Sequence, residues 1–296
     1  MCIRDSNKSI NKDFGFNVAF NMSAIKNKMT ELDGDVSYIG LPTSVIHSLN
    51  FDQEVSRSAI GQPIGSFYAY KEDGLFQSEA EIKSYTNNKG ELLQPNAKPG
   101  DIKFVDVNGD GVIDGNDRDY IGNPLPDVTA GLTLGVNFHN FDLSLFFQGM
   151  FGNDVYDLTR YVGDFYNQSQ YNKNSRVVNA WTPTNTNTDI PRVTMDDPNN
   201  NIRPSSYYVQ DASFVRLKNM KIGYSVPQSI LSKIKFNSLY IYAQATNLFT
   251  ITGYDGIDPE VGLQSYSSDY RNLDMGVDRG IYPLSRTFTF GVNVSF

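Results

Sequence analysis

The chain has 296 residues, a formal net charge of -8, 40% hydrophobic residues and a mean hydropathy of -0.38. The acidic balance excludes nucleic acid and anionic lipid as electrostatic partners, and no apolar run approaches the roughly 18 residues a spanning helix needs. A single cysteine, Cys2, excludes a disulfide framework, a zinc cluster and a thiol couple.

Residues 1–12 open on MCIRDS, which has neither the basic head nor the long apolar run of a signal peptide. They read as a foreign-looking head or a partial strand, ahead of a single unit over residues 13–296. Phe14, Phe16, Val18, Phe20 and Met22 then alternate with Gly15, Asn17, Ala19 and Asn21, so an extended chain places the apolar set on one face. Residues 23–60 are broken by Asn27, Gly34 and Pro42, leaving one short strand over 36–39. The phrase GQPIGSFYAYKEDGLF predicts a Tyr- and Phe-rich strand over 66–71, taken here as a member of the same sheet. Residues 77–100 read as one helical turn followed by loop.

Residues 99–124 carry the most specific local motif. Asp106, Asn108, Asp110, Gly111, Asp114 and Asp117 take positions 1, 3, 5, 6, 9 and 12 of an EF-hand-type loop, with the Val112 carbonyl at position 7. A hard cation wants six to eight oxygens, and alternate side chains around a glycine turn converge to supply them. The spacing predicts structural calcium. Asp at position 12, where Glu is usual, shortens the bidentate arm, and the flanks read as strand or extended loop. The competing reading is a solvated Asp/Asn/Gly turn.

Residues 128–151 give the clearest hairpin. Leu132, Leu134, Val136 and Phe138 lead into a tight turn at His139 and Asn140, and Phe141, Leu143, Leu145 and Phe147 resume the stripe. Residues 152–212 are rich in Asn, Tyr, Asp and Pro, and read as a long loop too polar to pack a core. Over 213–226 the apolar phase slips at Asn219, which predicts a bulge. Leu239, Ile241, Ala243 and Ala245 next oppose Tyr240, Tyr242, Gln244 and Thr246. The last stretch, RTFTFGVNVSF, puts Phe288, Phe290, Val292, Val294 and Phe296 on one face of a strand.

Repeated two-residue periodicity with a small polar opposite face predicts an all-β, antiparallel transmembrane barrel portion of about seven or eight strands with long extracellular loops. The 13% aromatic content, 18 Tyr and 19 Phe, suits interfacial girdles. Strand parity puts His139–Asn140 and the 227–235 turn at the periplasm and 73–127, 152–212 and 250–285 outside; residues 23–65 fit this scheme poorly. Thr289, Gly291, Val294 and Phe296 resemble the C-terminal signal read by the barrel-assembly machinery.

The phrases GQPIGSFYAYKEDGLF, PGDIKFVDVNGDGVIDGNDRDYIGNPLPDVTAGLTLGVNFHNFDLSLFFQGMFGNDVYD, AWTPTNTNTDIPR, DASFVRLKNMKIGYSVP, QATNLFTITGYDGIDPEV and DRGIYPLSRTFTFGVNVSF together resemble the C-terminal part of SusC/RagA-type TonB-linked outer-membrane transporters of Bacteroidetes. The resemblance runs through 13–296. It implies a barrel of about twenty-two strands with a plug and a TonB-box, set in outer-membrane lipid and importing glycans or peptides captured with a SusD-like surface lipoprotein. Plug, TonB-box and most of the barrel are expected to be missing here, and an open sheet with raw edges does not span a bilayer.

An enzyme is not expected: His47 and His139 are the only histidines, and no nucleophile–base set can be assembled. The alternative function is a soluble calcium-dependent carbohydrate-binding β-module using Tyr240, Tyr242 or Tyr207 and Tyr208 as sugar platforms. A soluble module would not expose Leu132, Leu134, Leu143, Leu145, Phe288 and Phe290 as one belt.

Overall fold

A computed structural model describes residues 2–11, 13–40, 53–166, 172–234, 236–262 and 272–296. Pro42 and His47, and residues 263–271 of the last long loop, lie outside the described residues.

In chain order, β1 (Cys2–Ser9) and β2 (Phe14–Ala24) are followed by an excursion holding β3 (Tyr38–Gly40), β4 (Ser56–Ala59), β5 (Ser66–Tyr70), β6 (Glu72–Leu75), α1 (Glu79–Ser84), β7 (Ile102–Phe104) and β8 (Arg118–Gly122). The long strands β9 (Val128–Phe138) and β10 (Phe141–Phe151) lead to a second excursion with β11 (Asp154–Asp157), α2 (Thr159–Asp164) and β12 (Val209–Asp211). Next come β13 (Phe214–Ser225), α3 (Gln228–Ile234), β14 (Ser238–Thr246) and β15 (Thr250–Thr252), then β16 (Val277–Asp278) and β17 (Thr287–Ser295).

The principal sheet has eight strands in the order β1-β2-β9-β10-β13-β14-β17, with β15 also on β13. Every pairing in it is antiparallel. β2, β9 and β10 are each 11 residues long and β13 is 12, the 9–11 or so that a tilted strand needs to cross a bilayer. The sheet is open, with β1 and β17 at its edges. The two-residue turn between β9 and β10 is closed by His139 in the left-handed region at φ 52°. The phase slip at Asn219 is a bulge: Phe146 faces Asn219 while Phe147 faces Leu217, so Lys218 is the extra residue.

Two expectations are corrected. The 66–71 strand is not in the principal sheet; β5 pairs with β4 and β8 in a separate four-stranded sheet. Because β2 and β9 pair directly, the described residues between them belong to one excursion from a single end of the sheet, which removes the difficulty of a long periplasmic connection before residue 66. Nor is 152–212 a core-less loop. Tyr156, Leu158, Phe165, Trp181, Ile202, Tyr207 and Tyr208 are buried with Val55, Phe67, Ile102 and Phe104 from the first excursion and with Leu273 and Val277 from a third, between β15 and β17. Each segment alone is too polar to form a core, but three segments pooling their few large side chains make one. Tyr207 and Tyr208 are 3% and 0% exposed, so neither offers a sugar platform.

Polar anchors knit this loop layer together. Asp101, fully buried, accepts from Arg192 Nε at 2.6 Å and from Asn201 Nδ2 at 2.9 Å. Gln94 donates to the Ile102 carbonyl (2.9 Å) and accepts from Phe104 N–H (2.7 Å).

Candidate functional site

Register fixes what each face of the principal sheet carries. Across adjacent strands Val18 faces Leu134, Leu134 faces Leu145, Leu145 faces Met220, Met220 faces Ala245 and Ala245 faces Phe288. The apolar stripes therefore fuse into one belt running unbroken from β2 to β17. Among the described residues no second layer of protein covers it at β17: Phe288, Phe290 and Val292 are 62%, 81% and 58% exposed. At the turn end the belt is aromatic, with Phe14 edge-on to Phe138 at 6.5 Å and Phe141 against Tyr224 at 4.6 Å. Aliphatic middle and aromatic rim are the composition of a lipid-facing barrel surface. β1 does not continue the belt, because its register puts Arg4 opposite Phe20 and Lys8 opposite Phe16.

The opposite face is small and polar, as the alternation dictates. Asn17 and Asn21 lie over Gly135 and Gly131, where a Cβ would collide with their amides. Tyr240 and Tyr242 stack with centroids 5.8 Å apart; Tyr240 donates to Asp142 at 3.0 Å and Lys221 Nζ sits 4.9 Å from both rings. Gly223 and Gly291 leave room for the two tyrosines, whose rings would overlap a Cβ at either position. Of the candidate insertion residues, Thr289 and Gly291 lie on this face, opposite Gln244 and Tyr242, and Val294 lies on the belt opposite Leu239. Phe296 packs edge-on against Phe236 at 5.1 Å.

The aspartate turn sits between β7 and β8. Asp106 accepts from Gly109 N–H (2.7 Å) and Gly111 N–H (2.9 Å), Asn108 from Asp110 N–H (2.8 Å), and Asp110 from Val112 N–H (2.9 Å). Gly109 and Gly111 take φ of 75° and 87°, which gives glycine its place at both points. Asp117 is fully buried; its oxygens accept from Val107 N–H (2.9 Å) and Asp114 N–H (2.7 Å), closing a capping box with Asp114. Among the described residues, no three His, Cys, Asp or Glu side chains are gathered as a metal-binding group. The carboxylates of this loop are turned onto its own amides; Asp117 Oδ1 accepts twice, from the N–H groups of Val107 and Asn108, while the oxygens of Asp106 and Asp110 each keep a lone pair beyond the one bond they accept.

Sequence reasoning missed the loop layer's clustered charges. Arg160, 6% exposed, donates to the Tyr207 carbonyl (2.8 Å) and to Asp255 (2.7 Å). Arg216, 2% exposed, is held by Thr250, Glu260 and Asp258 at 2.7, 2.9 and 2.5 Å. No local spacing marks these contacts, since Tyr207 and Asp255 lie 47 and 95 positions from Arg160, and Thr250, Asp258 and Glu260 lie 34, 42 and 44 positions from Arg216.

No family model matches the sequence. The chain is 37% identical over 293 residues to a protein named TonB-dependent receptor P3 of Formosa agariphila, covering 99% of this chain and 28% of that protein. It is 27% identical over 292 residues to TonB-dependent receptor SusC of Bacteroides thetaiotaomicron, covering 97% of this chain and 25% of the relative. A solved structure of the RagAB peptide transporter superposes with a TM-score of 0.71 at 24% identity, over 99% of this chain and 28% of that chain, a likeness of fold. The chain thus spans about a quarter of the length of the curated relatives it matches. Sequence likeness over nearly its whole length, and a strand order and belt that are those of a barrel wall, lead to one assignment: the chain belongs to the SusC/RagA-type TonB-dependent receptors.

Proposed function

We propose that this chain is a wall sector of an outer-membrane importer that takes up oligosaccharides or peptides with energy delivered by TonB. The observation that carries this reading is the apolar belt from β2 to β17, with Phe288, Phe290 and Val292 left exposed on β17, which a soluble carbohydrate-binding module would have to bury. In this reading the belt faces lipid and the glycine- and asparagine-lined face borders the lumen. Parity then puts the tight turn at His139 and the α3 turn in the periplasm, and the loop layer outside, where a SusD-like surface lipoprotein delivers the solute. The β17 strand, with Thr289, Gly291, Val294 and Phe296, is what the barrel-assembly machinery engages. The test is uptake by cells making the full receptor that contains this segment. Oligosaccharide or peptide accumulation that disappears when either the receptor or TonB is deleted is the expected result; accumulation indifferent to TonB overturns the reading.

The aspartate turn is proposed to bind calcium structurally. Motif order, the two left-handed glycines and the unused lone pairs support it, and side-chain rotation of Asp106, Asn108, Asp110 and Asp114 toward the Val112 carbonyl and Asp117 would complete an oxygen cage. Its role is to stiffen an exposed loop, because no nucleophile or base lies in it. Isothermal titration of the full receptor with calcium, against a variant carrying Asp106→Ala and Asp110→Ala, tests this directly. Equal heats from both proteins remove the site.

A further inference from the structure

The apolar belt is not evenly filled. Register puts Phe20, Leu132, Phe147 and Leu217 in one row across β2, β9, β10 and β13. Met22, Ala130, Gly149 and Val215 form the next row, two residues farther from the His139 turn. A row of large side chains is thus followed by an alanine and a glycine side by side. The Phe151 ring folds back over Gly149, where a Cβ would lie 2.7 Å from it. What remains is a hollow of about 380 Å³, floored by Ala130 and Gly149 and walled by Phe20, Phe147, Phe151 and Val215.

Its depth in the wall follows from the strands. The lining runs from Leu134 to Ala130 on β9 and from Phe147 to Phe151 on β10, which is mid-strand to the end remote from the His139 turn. Four steps of about 3.4 Å make the hollow about 14 Å long, close to half of the roughly 30 Å hydrocarbon core. With the turn in the periplasm, it spans the outer leaflet. None of its nine lining residues has a polar side chain, and the strand ladders occupy the backbone groups between them.

Shape and polarity decide the occupant. Where hydrocarbon is the solvent, the hydrophobic effect gives a protein partner no advantage over lipid, and dispersion contact is what a hollow offers. A gap there leaves its lining atoms without neighbours, and a flexible acyl chain closes it while touching protein on several sides at once. A second copy of the chain does not close it. Across a two-fold axis the same patch meets itself, and two hollows face to face make a larger void. A polar or charged ligand would lose its hydrogen bonds on entry. Phe20 and Phe151, 40% and 39% exposed, present flat rings against which methylene groups lie.

We propose that the hollow between Phe20 and Phe151 seats one acyl chain of an outer-leaflet lipid, holding it in a fixed place while the rest of the belt meets freely exchanging lipid. This goes beyond the import reading and rests on its placement of the belt in hydrocarbon.

The test is photolabelling of the full receptor in phosphatidylethanolamine vesicles, a small fraction of whose lipid carries a diazirine midway along one acyl chain, with the labelled peptides mapped by mass spectrometry. Label concentrated on 128–134 and 147–151 is expected. It should fall about tenfold in Ala130→Phe, which fills the floor, and in Phe20→Ala, which removes a wall. Ile222→Phe, at a belt residue 44% exposed and opposite Leu143 and Ala243, is the control and should leave it unchanged. The pattern on the unaltered receptor decides even where a variant fails to insert. Label spread evenly over the belt strands, label that spares 128–134 and 147–151, or label there that is indifferent to both variants overturns the seat and leaves the importer standing. Absence of label from every belt strand removes the seat and the lipid-facing belt together.

Discussion

The side chains of the belt act individually, and each is placed by parity alone. Leu145 sits mid-strand in β10 between Leu134 and Met220. An arginine there faces hydrocarbon at a cost of about 2–4 kcal/mol near the bilayer midplane. Leu145→Arg is expected to lower the folded, heat-modifiable fraction of the receptor in outer membranes, whereas Thr133→Lys, on the opposite face, leaves it near the wild-type level. A different residue-scale effect belongs to Glu72 in the loop layer. Burial, and next the neighbouring Asp189 charge, push its carboxyl up from the ordinary 4.5 to about 7. With the folded-state value raised, the folded form binds the extra proton, so Glu72's contribution to stability is full below about pH 4.5 and lost as pH rises through about 7. Hydrogen exchange around 72–75 and 186–189, corrected for its intrinsic pH dependence, should show more opening at pH 8 than at pH 5.5. Glu72→Gln should flatten that difference.

At the scale of elements, alternation in a strand and pairing across a tight turn were readable, and partnership between strands distant in the chain was not. The stripes of β2, β9, β10, β14 and β17, the tight turn at His139 and the bulge beside Asn219 are all legible because each depends on residues adjacent in the chain. The destination of β5 is not: a short strand rich in Tyr and Phe reads alike whether it joins a membrane wall or a small loop sheet. Pairing across β14 and β17 yields a prediction of its own. Gly291 lies under the Tyr242 ring, so Gly291→Ala must push that ring away and disturb its stack on Tyr240. A loss of about 1–3 kcal/mol is expected, read as a lower midpoint in denaturant unfolding of the receptor in detergent. An unchanged midpoint would mean that the ring moves freely.

The whole molecule divides its work between a sheet that one strand at a time can specify and a loop layer that exists only as an assembly. Truncating Tyr208, fully buried and stacked on Tyr156 at 5.4 Å, leaves a cavity in the shared core and costs about 3–5 kcal/mol. Tyr208→Ala should therefore make the loop layer sensitive to protease while the strand signal in far-ultraviolet dichroism persists. Loss of both together would show that the wall depends on its loops. By itself the sequence determined the membrane-facing belt, the antiparallel hairpins, the order of the aspartate turn and the family, because period-two alternation and contiguous motifs are local properties. Only the tertiary structure decided that β3 to β8 belong to a single excursion between β2 and β9, that Tyr207, Tyr208 and Trp181 are core, and that Arg160 and Arg216 hold Asp255 and Asp258 of one short segment. Those facts depend on contacts between residues tens to a hundred positions apart, whose partners no local pattern names.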